Sequence, residues 1–412
     1  MLSSGKRVVI TGIGAVTSIG QGAVGLWQGV SSGRRGARAI QRFDPGAFSS
    51  RIAAEVPDFD PLDWMDAAKA RRLDRFAQFS LACARMAARD AGLDLGSLEP
   101  GRAGIYMGSA LGGISFAEEQ HEAYLARGMK AVRPTLAISV FGGASSCNVA
   151  IDMGLTGPSV ANANSCASGN IAVGEAAGLI ARGGALVMLA GGVEAPLSPL
   201  VFGAFAHIRA MSTRNHDPQG ASRPFDRGRD GFVMGEGGAV LVLEEYESAR
   251  GRGARAYAEV LGYSNTNDAY SMTAPRPDGA QAARAMRLAL ADAQCAPERI
   301  GYINAHASST PLNDRHEALA IRQVFGTRVP PVSGTKSMHA HALGASGAIE
   351  LAICAQIFQK GWLPPTLNVE DQDPECDLDV LAGAGREARV DRILSNSFGF
   401  GGINSCVVLG RV

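Results

Sequence analysis

Asn162-Ala163-Asn164-Ser165-Cys166-Ala167-Ser168-Gly169 places a single cysteine at the end of a short polar loop, where a run of small, helix-favouring residues begins. Upstream, Gly157-Pro158-Ser159-Val160 reads as a turn feeding a short buried strand. Downstream, Ala, Ile, Val, Leu and Glu keep a helical pattern as far as Arg182, and Gly183-Gly184 stops it. The pattern puts Cys166 near a helix N-terminus, where unpaired N–H groups and the macrodipole favour negative charge. Such a setting is expected to lower a thiol's pKa and make it a nucleophile. A lone cysteine is otherwise a small buried hydrophobe, so the rest of the chain has to decide.

Bulk properties narrow the choice. A chain of 412 residues can bury a large core and hold two or three domain-sized units. Lys plus Arg (39) balances Asp plus Glu (39), which gives no overall field for nucleic acid or a membrane. Seven cysteines without a CxxC pair argue against a disulfide scaffold or zinc ribbon and fit a reducing cytoplasm. Lys6 and Arg7 directly precede a strand with no apolar signal core, and no apolar run reaches the roughly 18 residues of a membrane span. A soluble protein is expected. The 52 glycines point to tight turns and close backbone approaches, since 46% hydrophobic residues exclude a disordered chain.

Outward from Cys166, strands alternate with helices. Residues 7–12 form an apolar run ending at glycine, as in a strand buried on both faces. Gly12-Ile13-Gly14-Ala15-Val16-Thr17 begins like a dinucleotide fingerprint, but Thr17 stands where the third glycine belongs. No acid ends a following strand, because that region is Ser31-Ser32-Gly33-Arg34-Arg35, so a nicotinamide site is weakly supported. Residues 67–91 read as one helix with Lys69, Arg71 and Arg72 at its entry, and residues 104–108 as a buried strand. Residues 114–133 read as helical, 185–192 as strand and turn, 212–238 as a long polar loop and 239–244 as a strand. The rhythm then repeats: strand 256–262, helix 279–293, strand 300–305, helix 314–325, strand 332–333, helix 347–359 and strands 392–396 and 405–409. This is an α/β chain of two similar halves dividing near residue 250.

Three more polar stretches follow predicted strands: Asn304-Ala305-His306-Ala307-Ser308-Ser309-Thr310-Pro311, Gly334-Thr335-Lys336-Ser337-Met338-His339-Ala340-His341, and the loop 398–404. Sites in open α/β sheets gather beyond the carboxyl ends of strands, so these segments can converge on Cys166. Together with Leu343-Gly344-Ala345-Ser346-Gly347-Ala348 and Asn396-Ser397-Phe398-Gly399-Phe400-Gly401-Gly402-Ile403-Asn404, they resemble the β-ketoacyl-acyl carrier protein synthases. The likeness runs from Arg7 to Leu409. It is nearest the elongating type II branch, to which Ser212-Thr213-Arg214-Asn215, Ser222-Arg223-Pro224-Phe225-Asp226 and Cys376-Asp377-Leu378-Asp379 are similar.

The resemblance implies a thiolase-like fold, two βαβαβαββ halves (1–250 and 251–412) in a five-layered α-β-α-β-α sandwich. It implies a homodimer, or a heterodimer with a second synthase-like subunit, and an acyl carrier protein as partner. The implied reaction is decarboxylative Claisen condensation, giving 3-oxoacyl-acyl carrier protein and CO2. Cys166 would take the acyl group, and the Cys166 and Phe400 N–H groups would form an oxyanion hole. His306 and His341 would handle charge at the malonyl group, with Lys336 fixing the local charge. Ser308 and Thr310 would bind malonyl, and Phe398, Gly399, Phe400 and Gly401 would form the gate loop. Leu111, Gly142 and Gly143 would line an acyl pocket at the dimer interface, suited to a long, rigid or unusual chain. Arg71, Arg72, Arg209 and Lys69 would dock the carrier. The chemistry needs neither metal nor cofactor.

The chain departs from the family at Ala307 for glycine, Ser308 for threonine, His339-Ala340 for Thr-Gly, and Asn164-Ser165 for the more common Thr-Ala. Four other readings compete. A thiolase would need a second cysteine in the last glycine loop, which has none; Cys406 lies beyond it. A non-catalytic partner subunit would not need Cys166. A metal-binding protein would use His306, His339, His341 and Cys166, and a cysteine hydrolase would pass the acyl group to water.

Overall fold

Strand Gly237–Glu245 carries the logic of the fold in its side chains. Ala239, Leu241 and Leu243 enter one core while Val240 and Val242 enter another, so the strand is buried on both faces. Its sequence therefore reads as a continuous apolar run without polar alternation. The computed structural model describes Leu2 and residues 5–412.

Two successive runs of elements have the same βαβαβαββ order. The first is β1 (Val8–Thr17), α1 (Arg75–Asp90), β2 (Ala103–Gly108), α2 (Ala144–Met153), β3 (Ser159–Asn162), α3 (Ser168–Ala181), β4 (Val187–Glu194) and β5 (Gly237–Glu245). The second is β6 (Ala258–Asn267), α4 (Ala280–Asp292), β7 (Tyr302–Asn304), α5 (Pro311–Phe325), β8 (Val332–Ser333), α6 (Ser346–Lys360), β9 (Arg392–Gly399) and β10 (Ile403–Gly410). The strands lie in the order β8-β7-β9-β10-β6-β1-β5-β4-β2-β3. In the first run β1–β5–β4 is antiparallel and β4–β2–β3 parallel. The second repeats this with β6–β10–β9 antiparallel and β9–β7–β8 parallel. The runs are stitched where Val9 and Ile10 of β1 pair with Glu259 and Ala258 of β6.

Three cores fill the spaces between five layers. α3 and α6 lie between the two halves of the sheet, where Val173, Ile180, Leu351 and Ile353 pack with Leu241, Leu243, Val407 and Leu409. α1 covers the outer face of the first half through Phe79 and Leu81 against Leu189, Val240 and Val242. α4 and α5 cover the second through Met286 and Ile321 against Ile303, Leu394 and Val408. Each such side chain contributes about 1.5–3 kcal/mol on burial. The α-β-α-β-α sandwich expected from the sequence is the architecture observed.

Close approach explains the glycines at the start. A Cβ on Gly12 would lie 2.2 Å from the Ala87 carbonyl oxygen, and one on Gly14 would lie 1.9 Å from that of Cys83. Both sit inside β1 and let α1 pack on it, so the partial dinucleotide motif is a packing device. Three further expectations are corrected. The helix read over 67–91 is two helices, Ala67–Arg72 and α1, broken where Leu73 turns extended at ψ 140°. The helix read over 114–133 ends at Arg127, because Gly128 takes φ 73°. β3, expected to be buried, is the sheet's edge strand and is largely half-exposed. Helices Gly22–Ser31 and Pro199–His207 escaped the sequence reading. Among the described residues no helix is long and apolar enough to cross a membrane.

Candidate active site

Cys166 sits in a turn between β3 and α3. A 3-10 turn, Ser165–Ala167, leads into the helix, with Ser165 left-handed at φ 51°. The Ser168 hydroxyl donates to the Ser165 carbonyl at 2.7 Å, and Ser397 Oγ donates to the Cys166 carbonyl at 3.2 Å. Cys166 is buried and lines a cavity of about 340 Å³. Burial pushes its thiol upward, while the Ser165 hydroxyl, the Lys336 charge and the Phe400 N–H pull it back without winning. The lowered pKa expected from the helix start is thus corrected: desolvation outweighs the favourable groups, and the resting sulfur carries its proton.

His306, Lys336 and His341 come from the second half. β7 delivers His306, and the N–H groups of His306 and Ala307 donate to the Glu317 carboxylate on α5 at 2.8 and 2.7 Å. This clamps a tight backbone in which Ala307 is left-handed at φ 42°. Lys336, after β8, is fully buried. Its Nζ donates to Glu350 Oε1 at 2.5 Å and to the His306 carbonyl at 2.6 Å, and lies 3.4 Å from His306 Nδ1. An ammonium only donates, so His306 Nδ1 accepts and its proton sits on Nε2. His341 Nδ1 lies 2.8 Å from Ser346 Oγ. The two imidazoles meet edge to face with centroids 5.3 Å apart. Phe232 flanks His341 at 5.4 Å and Phe398 flanks His306 at 6.0 Å. Burial and the Lys336 charge hold both rings well below the ordinary imidazole value, so both are neutral.

The loop Gly399–Gly402 closes over the sulfur. A Cβ on Gly399 would stand 3.0 Å from the Cys166 nitrogen. Phe400 stacks on Phe205, with centroids 6.4 Å apart and planes 10° apart. Ser308, Thr310, Phe398, Gly399 and Phe400 line the same cavity as Cys166, His306 and His341. Ser308 and Thr310 hydroxyls lie 3.0 Å apart, and Thr310 also accepts the Asn313 N–H as the cap of α5. Leu111 packs in the apolar cluster that holds Cys166, Phe202 and Leu343. Gly142 sits behind the turn at Gly112, and Gly143 lies under the Phe141 ring; neither lines the cavity. Gly401 is left-handed at φ 83° and donates to the Met272 carbonyl at 2.8 Å.

The basic residues separate. Arg209 lines the catalytic cavity, whereas Arg71 and Arg72 are exposed on Ala67–Arg72. Lys69 is held by Asp152, which also pairs with Arg85. Lys69 is thus engaged within the chain, at a partly exposed ion pair.

Motif reading missed the buried acids. Glu194 accepts from Ser109 Oγ and from the Ala110, Leu111 and Gly344 N–H groups. Burial pushes Glu194 and Glu317 up to about 7 against their several donors. The sequence did hold a signal for Glu350: it is a lone acid in the apolar run of α6 and so needs a buried cation. Among the described residues no group of His, Cys, Asp or Glu is placed to hold a metal. His339 bonds Thr335 Oγ1 through Nε2 instead of facing the cavity.

Residues 5–249 match the beta-ketoacyl synthase N-terminal domain and residues 257–370 the C-terminal domain. The chain is 45% identical over 401 residues to a 3-oxoacyl-[acyl-carrier-protein] synthase 2 of Synechocystis sp., covering 97% of this chain and 96% of that one. Among solved structures, the ishigamide ketosynthase/chain length factor superposes with TM-score 0.94 at 37% identity, covering 99% of this chain and 100% of that one. A type II PKS acyl-carrier protein in complex with its ketosynthase bound to the hexaketide gives TM-score 0.91 at 35% identity, with the same coverage. With both domains matched in order and that identity sustained along the chain, this protein belongs to the beta-ketoacyl synthase family.

Proposed function

We propose that the protein lengthens acyl chains by decarboxylative condensation on a carrier protein. One observation carries the reading: Cys166 shares a single apolar-walled cavity with two neutral imidazoles. The Cys166 sulfur attacks a thioester carbonyl, a new S–C bond forms, and the carrier thiol leaves with a proton. The oxyanion of that step lies within reach of the Cys166 and Phe400 N–H groups. Malonyl-carrier protein then loses CO2, and the electron pair of the broken C–C bond becomes an enolate. His306 Nε2–H and His341 donate to the enolate oxygen, and neutral rings do so without neutralising a carboxylate that has yet to leave. The enolate carbon attacks the acyl-enzyme carbonyl, the C–S bond breaks, and 3-oxoacyl-carrier protein departs. Lys336 holds the His306 tautomer, and Ser308 and Thr310 offer hydroxyls to the malonyl group.

The carrier protein docks through Arg71 and Arg72, with Arg209 at the cavity mouth. The partner subunit is a second copy of this chain, which is the reading that suits the half-exposed edge strand β3 and the exposed Ile138, Phe141 and Ile151. The chain divides into catalytic halves near residue 250. Leu111, packed in the apolar cluster beside Cys166, bounds the acyl pocket, which accepts a long or rigid chain. Seven free cysteines suit a cytoplasmic enzyme.

Single-turnover mixing of acyl-loaded enzyme with malonyl-carrier protein tests the reaction. The expected result is 3-oxoacyl product and CO2 in equal amounts, with His306→Ala retaining acylation but losing condensation. Acyl-enzyme that decays in water at the same rate with and without malonyl-carrier protein would identify a hydrolase.

A further inference from the structure

We propose that the Ser165 hydroxyl is a hydrogen-bond donor to the Cys166 sulfur, a contact to the reacting atom beyond the backbone N–H groups. The inference rests on Cys166 being the nucleophile. Ser165 Oγ lies 3.8 Å from Sγ, within reach of a sulfur hydrogen bond, and among the described residues it has no other partner. A helix-capping role does not account for it, because the hydroxyl accepts no backbone N–H at the start of the turn or of α3.

The backbone that carries the hydroxyl is held in place. The backbone of the turn is pinned by the Ala167 N–H to the Asn164 carbonyl at 3.2 Å and by the Ser168 hydroxyl to the Ser165 carbonyl at 2.7 Å. On its other side runs the gate loop, where a Cβ added to Gly399 would come 3.2 Å from Ser165 Cβ. Left-handed backbone at φ 51° is strained for a residue with a side chain.

The contact favours one protonation state over the other. In the thiol form either S–H or O–H can donate. Once the sulfur has lost its proton only the hydroxyl can, so the bond strengthens as charge develops. Burial raises this thiol, and the hydroxyl partly offsets that cost.

The test is the pH dependence of Cys166 alkylation by iodoacetamide, in which a C–S bond forms and iodide leaves, read from the mass of the peptide containing Cys166. This readout is separate from exposed Cys147 and needs no carrier protein. Ser165→Ala and Ser165→Gly should both move the midpoint up by about one pH unit and slow alkylation about tenfold below it. An unchanged midpoint in both variants would overturn the proposal. A shift in Ser165→Ala with none in Ser165→Gly would overturn it equally, by tracing the effect to backbone strain. A shifted midpoint in a protein that never forms 3-oxoacyl product would leave the hydroxyl's role standing and remove the condensing activity instead.

Discussion

Glu350→Gln isolates the buried ion pair that Lys336 makes beside His306. Lys336 and Glu350 are both fully buried, and Nζ meets Oε1 at 2.5 Å. Burial pushes Glu350 up to about 7 against the Lys336 charge, so the full pair forms above that pH; at an effective dielectric of 20 its attraction is about 6–7 kcal/mol, most of which repays desolvation. Removing one partner leaves the other charge unpaired at a cost of about 3–5 kcal/mol. The amide keeps an oxygen and the shape, so the expected loss is about 3 kcal/mol, the lower end of that range. Urea unfolding followed by tryptophan fluorescence measures it. Lys336→Met with Glu350→Leu should recover most of the stability, since an apolar pair of similar volume carries no desolvation debt, while condensation stays lost. A Glu350→Gln protein within 0.5 kcal/mol (roughly the noise of a surface change) of wild type would refute the buried pair. A double variant that condenses normally would show that Lys336 does not hold His306.

The remaining predictions concern the histidines, the glycines and the docking face. His341 has a depressed folded pKa, so its contribution to stability is present above the unfolded value near 6.5 and lost as pH falls. The stability gap between wild type and His341→Asn should narrow on acidification, and urea titrations at pH 7.5 and 5.5 that give equal gaps would contradict this. Gly14→Ala should cost about 3 kcal/mol or more, because its methyl would meet the Cys83 carbonyl backbone and α1 must shift; expression yield and thermal melting check it. Reversing Arg71 and Arg72 to Glu should raise the KM for carrier protein and leave melting unchanged. Lys69→Ala should instead lower stability by about 0.2–1 kcal/mol through Asp152 and leave KM alone.

Much of the site was legible because its chemistry is local in sequence. Cys166, His306, Lys336 and His341 each lie in a polar stretch that follows a strand readable in the sequence, and the topology carries Cys166, His306 and His341 to one cavity with Lys336 buried against His306. What escaped depends on neighbours far along the chain. Gly12 and Gly14 match only the start of a dinucleotide fingerprint, and their reason appears once Ala87 and Cys83 are seen against them. The helix break at Leu73 falls within an unbroken apolar period, and only Asp74 at the new start hints at it. Lys69 looked free because Asp152 is distant in sequence. The thiol's direction was misread for a related reason: a helix start is visible in sequence, whereas the depth of burial that outweighs it is not.

The proposed condensation requires Cys166 to carry the acyl group. Intact-protein mass after mixing with a panel of acyl-carrier proteins, wild type beside Cys166→Ala, tests it most directly. An adduct of acyl mass on wild type alone is the expected result, and the best-loaded chain identifies the substrate class. An adduct that persists in Cys166→Ala, or none from any donor, would contradict the account and leave a partner-dependent subunit as the remaining reading.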